Sequence, residues 1–184
     1  MKALVLIDIQ KGFEDIEYWG GNRNNPEAEQ RAKELLEYFR ARSWPVYHVQ
    51  HCSTNPKSPL RSEATGNALN ELVKPLETEP VYTKTVNSAF IGTPLEEVLK
   101  SEQQQDLVMA GLTTDHCIST SVRMAANLGF EVTLIEDATA TFDKVDRNGK
   151  RYDAQLIHET AIASLDGEFA LIQTLEEFLD SIDN

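Results

Sequence analysis

The chain has 184 residues, 41% hydrophobic and 26% charged, an ordinary globular mixture with enough material for one domain over residues 1–184. With 30 Asp and Glu against 17 Lys and Arg, the net charge is −13, which argues against nucleic acid or an anionic membrane as partner. No apolar run approaches the roughly 20 residues needed to span a bilayer, and the start MKALVLIDIQ lacks the long apolar region of a secretory leader. Cys52 and Cys117 form neither a disulfide framework nor a CxxC motif, so a soluble cytoplasmic protein with reduced thiols is the expectation.

Residues 3–9 (ALVLIDI) are a nearly continuous apolar run, as expected of a strand covered on both faces. Asn25-Pro26 reads as a helix start, and Ala28, Ala32, Leu35, Leu36 and Phe39 follow at helical spacing to a stop near Ser43. Residues 46–51 are the second strand, 52–66 a polar surface loop, 67–73 a short helix and 80–84 a third strand. Thr93-Pro94-Leu95-Glu96 opens a helix that runs to about Ser101. A fourth strand covers 107–110, and a helix opens at Asp115 or His116 and stops at Gly129. Strands at 131–135 and 169–172 flank a polar stretch at 139–151, read as a surface loop rather than a lid, and a helix at 153–165. A capping box at Thr174 and Glu177 opens the last helix. Strands spaced by helices in this order predict an α/β protein of three layers, with a mostly parallel sheet between helices.

In such a sheet, ligands bind beyond the carboxyl ends of the strands. Three reactive residues fall there. Asp8 ends the first apolar strand, where an ionised carboxylate needs a partner unless it caps a turn. Lys84 ends the third strand and, taken alone, reads as a solvated lysine. Cys117 opens a helix after the fourth strand, where the dipole favours thiolate; alone, it is equally a small buried filler. Together, an acid, a cation and a thiol at three strand ends make a nucleophilic set.

With these residues in place, the sequence resembles the isochorismatase-like cysteine hydrolases, which include nicotinamidase and N-carbamoylsarcosine amidohydrolase. The resemblance rests on Asp8-Ile9-Gln10-Lys11-Gly12-Phe13, on Lys84-Thr85 with Asn87-Ser88-Ala89-Phe90, and on Gly111-Leu112-Thr113-Thr114-Asp115-His116-Cys117. It extends through Glu136-Asp137-Ala138 and the helix around His158. It implies a six-stranded sheet of order 3-2-1-4-5-6 and a triad of Asp8, Lys84 and Cys117. It also implies a cis peptide between Leu112 and Thr113 that aims the Thr113 N–H, with that of Cys117, at a developing oxyanion. Lys84 would then favour the ionised forms of both Asp8 and Cys117, lowering the thiol pKa below about 8.5.

The metal-binding Asp-x-His of nicotinamidase is missing. No Asp lies between Val46 and Gly66, and His48 and His51 fall an odd number of positions apart, on opposite faces of a strand. No metal and no cofactor are expected. Phe13, Tyr18, Trp19 and Phe90 either wall a pocket or pack beneath loops, and His116 either lines the pocket or lies on the helix surface. Gln10, Phe13, Asn87, Phe90 and His116 are the candidate substrate contacts. The expected activity is hydrolysis of a small-molecule amide or carbamoyl C–N bond through a thioester. Vinyl-ether hydrolysis and a non-catalytic binding or thiol-redox module, the latter pairing Cys52 with Cys117, are the alternatives. Relatives form dimers and larger assemblies, so a homo-oligomer, dimer or tetramer, is the expectation.

Overall fold

The computed structural model describes residues 2–183. Six parallel strands form one sheet: β1 (Lys2–Ile7), β2 (Val46–His51), β3 (Val81–Lys84), β4 (Asp106–Leu112), β5 (Glu131–Ala140) and, after a hairpin of β6 (Lys144–Val145) and β7 (Arg151–Tyr152), β8 (Leu171–Gln173). Their order is β3-β2-β1-β4-β5-β8, which is 3-2-1-4-5-6 when only the strands of this sheet are counted. The order reverses between β1 and β4, so the crevice at their carboxyl ends is the place for a ligand.

The apolar run of β1 is explained by cover on both faces. Ala3, Val5 and Ile7 join one core cluster, with Leu95 and Leu99 of α3 (Leu95–Ser101), Val122 and Ala125 of α4 (Ser119–Asn127), and Ile162 of α5 (Ala154–Ala163). Leu4 and Leu6 join the other, with Leu35, Leu36 and Phe39 of α2 (Ala28–Ala41) and Phe178 of α6 (Leu175–Asp183). A short helix, α1 (Ile16–Trp19), stands outside these layers, in the loop after β1.

Several boundaries differ from the sequence reading. Asn25 does not cap α2: it takes a left-handed conformation (φ 41°) before Pro26, and its side chain donates to the Thr139 carbonyl at 2.8 Å. The stop of α2 comes at Ala41, with Ser43 left-handed just beyond (φ 53°). Residues 67–73 do not form a helix; two 3₁₀ turns, Thr65–Asn67 and Glu71–Val73, stand in that region. The fifth strand runs on to Ala140, because its register against β4 breaks between Met109 and Gly111 and resumes with Gly111 opposite Thr139. The polar Glu136-Asp137 step hides this continuation from the sequence pattern. The 139–151 stretch is accordingly a strand end followed by the β6–β7 hairpin. The capping box of α6 is formed: Thr174 N–H donates to Glu177 at 2.8 Å, and Glu177 N–H to Thr174 Oγ1 at 3.2 Å.

Gly111 carries the strongest steric constraint of the sheet. It pairs with Ile7, has φ 136°, and a Cβ there would overlap the Ile7 carbonyl oxygen. Gly129, at the end of α4, has φ 91° and open space around it. Gly111→Ala is expected to cost about 3 kcal/mol or more of stability, because both backbone and neighbour must shift. Gly129→Ala should cost only about 1 kcal/mol, the conformational penalty alone. Equal losses in denaturant titrations of the two variants would show that the close approach of β1 and β4 is not what requires glycine.

Candidate active site

Three strand ends deliver the three reactive side chains. Asp8 follows β1 directly, left-handed (φ 55°), with its N–H on the Val49 carbonyl at 2.9 Å and its side chain fully buried. Lys84 closes β3, two strands away, opposite His51 of β2. Its ammonium donates to Asp8 Oδ2 at 2.6 Å, to Cys117 Sγ at 3.3 Å and to the Val86 carbonyl at 3.2 Å. His51 Nδ1 lies 3.3 Å from the same nitrogen. Burial of the pair is costly, and the 2.6 Å contact with added hydrogen bonds is the geometry that offsets it.

Cys117 sits in a π-helical turn, Thr114–Ile118, which leads into α4, rather than in the first α-turn expected. Thr114 Oγ1 anchors the turn from behind through His158 Nδ1 at 3.0 Å and Thr139 Oγ1 at 3.2 Å. The Leu112–Thr113 peptide is cis.

The expected lowering of the thiol pKa is reversed. Burial, then the Asp8 charge, push Cys117 up, and Lys84 opposes them without prevailing. Burial also raises the Asp8 carboxyl against the pull of Lys84. Burial thus favours the protonated form of both groups, and Asp8 Oδ1 is buried without a hydrogen-bond partner.

Asp8, His51 and Cys117 offer three ligand atoms within 4.8 Å of one another, a set that could grip a metal. The Lys84 ammonium contacts all three, so a cation already occupies that position. His48 turns to the opposite face and meets Glu79 at 3.1 Å, so the two histidines do not converge.

A cavity of about 210 Å³ opens over Cys117. Phe13, Tyr18 and Trp19 form one wall, with Phe13 and Trp19 ring centroids 4.6 Å apart and the Trp19 indole donating to the Gly12 carbonyl at 2.8 Å. Asn87, Thr113 and His116 also line it, with Asn87 Oδ1 3.8 Å from the sulfur. Two expected substrate contacts lie elsewhere. Gln10 is buried and ties the β1 end to β2, donating to His51 O at 3.0 Å and accepting from His51 N at 2.9 Å. Phe90 is in the core, stacked on Phe130 at 6.0 Å. Their positions after strands suited a pocket, but their side chains turn inward.

Sequence reasoning missed His51 as a site residue, along with Ser53, Asn55, Ser58 and Leu60. His51 ends the second strand as expected; the other four belong to the stretch read as surface loop, yet Ser58 and Leu60 are buried. Its place just beyond the carboxyl end of β2 was the available signal. Cys52, in the same stretch, is held near Asn67 and is not part of the cavity wall.

Burial and Lys84 push His51 down to about 4 from an ordinary 6.5. The unfolded chain therefore takes up a proton at His51 below about pH 6.5, whereas the folded chain resists until about 4. Between these values proton uptake favours unfolding, so acid lowers stability through this residue. Denaturant titrations across this window should show the parent losing stability relative to His51→Gln as pH falls. Parallel pH profiles for the two proteins would contradict the assigned environment.

Comparison with known proteins agrees with the geometry. The isochorismatase domain model matches residues 2–177. An isochorismatase-family protein of Bacillus subtilis, YrdC, is 46% identical over 97% of this chain and 95% of its own length. A solved isochorismatase-family structure from Chromobacterium violaceum superposes with a TM-score of 0.94 at 42% identity, covering 100% of this chain and 94% of its own. Nicotinamidase 3 of Arabidopsis thaliana is 25% identical over 98% of this chain and 88% of its length. By the extent of the domain match and the identity to YrdC, the chain belongs to the isochorismatase family of hydrolases.

Proposed function

We propose that this protein hydrolyses a small-molecule amide or carbamoyl C–N bond, with Cys117 as nucleophile. The observation that carries the reading is one ammonium, Lys84, bound at once to Asp8 at 2.6 Å and to the Cys117 sulfur at 3.3 Å beside a cavity. The likeness to a nicotinamidase supports amide chemistry. So does the thiol itself, since a vinyl ether is hydrolysed without a sulfur nucleophile.

The steps follow from the site's proton balance. With substrate in the cavity, Asp8 takes the thiol proton as sulfur attacks the carbonyl carbon. As the proton moves, the negative charge passes from Asp8 to sulfur, and the Lys84 ammonium, within reach of both, balances it at either place. The backbone N–H groups of Thr113 and Cys117 receive the oxyanion; donors of this kind are worth roughly 3 kcal/mol each. The C–N bond breaks, Asp8 returns the proton to the leaving amine, and an acyl or carbamoyl thioester remains. Water, deprotonated by Asp8, then cleaves the thioester and restores the thiol and the carboxylate.

Ammonia release from a panel of amides and carbamoyl compounds tests this reading. Cys117→Ala should abolish turnover and Cys52→Ala should leave it near the parent. Asp8→Asn should cost about 10²-fold or more, the scale of general acid–base catalysis. Because the groups act as a unit, Asp8→Asn with Lys84→Met should lose far less than the product of the single losses. Parent-level turnover in Cys117→Ala would sink the mechanism.

A further inference from the structure

We propose that this site selects uncharged substrates: compact carboxamides or carbamoyl compounds that carry no carboxylate or other anionic group. The inference rests on the reading of Cys117 as nucleophile and adds the class of molecule it meets.

The cavity, at about 210 Å³, falls below the roughly 300–1,000 Å³ of drug-sized sites. Phe13 and Trp19 supply a flat apolar wall, and Ser53, Asn55, Ser58 and Asn87 supply neutral donors and acceptors. No Arg, Lys, Asp or Glu is among the described residues that line it. Of the cations around it, Lys84 and Lys144 are paired with carboxylates, Arg61 turns its guanidinium to the Ser58 carbonyl at 3.0 Å, and Lys57 is exposed to solvent. Lys84 lies below the sulfur on Asp8 at 2.6 Å. At the mouth, Lys144 meets the Asp115 carboxylate at 3.3 Å, and His116 Nε2 lies 3.4 Å from the same carboxylate. His51, neutral near physiological pH, adds no charge.

A carboxylate entering this space would lose water and find no counter-charge, a large cost. The net charge of −13 adds a repulsion at longer range. A neutral amide loses less, and its N–H and C=O groups match the hydroxyl and amide side chains of the lining. N-carbamoyl amino acids and carboxylated enol ethers are therefore excluded. Hydrolysis also turns a neutral substrate into an acid, so the same lack of a cation favours product departure.

The test uses iodoacetamide and iodoacetate, which differ in charge far more than in size. Alkylation of Cys117 in the intact protein is followed by mass spectrometry near neutral pH. Each rate is divided by that of the same reagent with free glutathione, which removes intrinsic reactivity. We expect a normalised preference for iodoacetamide on the order of 100-fold. Ser53→Lys and Asn55→Lys, which add a cation to the rim, should each cut that preference about tenfold, one unit pair's worth of attraction in a partly screened site. A preference near unity in the parent, with Cys117 labelled by both reagents, overturns charge selection and leaves the nucleophile reading standing. A preference unchanged in both lysine variants also overturns it, since charge would not be the cause. Labelling confined to Cys52 removes the nucleophile, and this inference falls with it.

Discussion

The ion pair between Asp8 and Lys84 is the contact on which the site depends. Both side chains are fully buried, and their charged atoms lie 2.6 Å apart. An ion of this size loses several kcal/mol of hydration in the interior, so neither tolerates the other's absence. The strand order makes the pair possible. β3 stands two places from β1, and the long lysine stem spans that separation. Asp8 takes a left-handed turn immediately after β1, which aims its carboxylate into the crevice where the strand order reverses.

Magnitudes explain why the thiol departs from its positional expectation. A helix terminus contributes at most about 1 kcal/mol to a nearby exposed charge, less than one pKa unit. Full burial shifts such groups by up to about 3–5 units. With Asp8 adding a negative charge nearby, the thiol rises, and Lys84 only moderates the rise. Burial thus favours the thiol over the thiolate, beside a buried carboxylate oxygen, Asp8 Oδ1, that has no hydrogen-bond partner.

The rest of the site is built from charges cancelled in place. Asp115 takes Lys144 at 3.3 Å, and Asp143 takes Arg151 at 2.6 Å. Asp143 also accepts from Asn22 at 2.9 Å and from the Ala154 N–H at 2.7 Å. It thereby ties the segment after Trp19 to the hairpin and to the start of α5. This fixes one end of the aromatic wall, and Phe142, next to Asp143, backs it with its ring 6.0 Å from that of Trp19. Local cancellation leaves a neutral, partly aromatic space over a buried zwitterion.

Periodicity and capping chemistry made much of the fold legible. The continuous apolar run of β1, the i, i+3, i+4 series of α2 and the Thr174–Glu177 box depend on nearest neighbours alone, and all three took the form the sequence indicates. Their places at three strand ends already grouped Asp8, Lys84 and Cys117, and the resemblance implied the same three as a triad. What local pattern could not reach was whatever depends on a distant partner. The extension of β5 needed the register break against β4, and the displacement of Asn25 from its cap needed the Thr139 carbonyl. The inward turn of Gln10 and Phe90, the burial of Ser58 and Leu60, and the raised thiol pKa were likewise decided by packing. The sequence by itself determined which residue types stand at the strand ends, because alternation and helix starts are written in adjacent positions. Only the tertiary structure decided which of them share a cavity and which proton state they hold, because burial and charge pairing act through space between residues far apart in the chain.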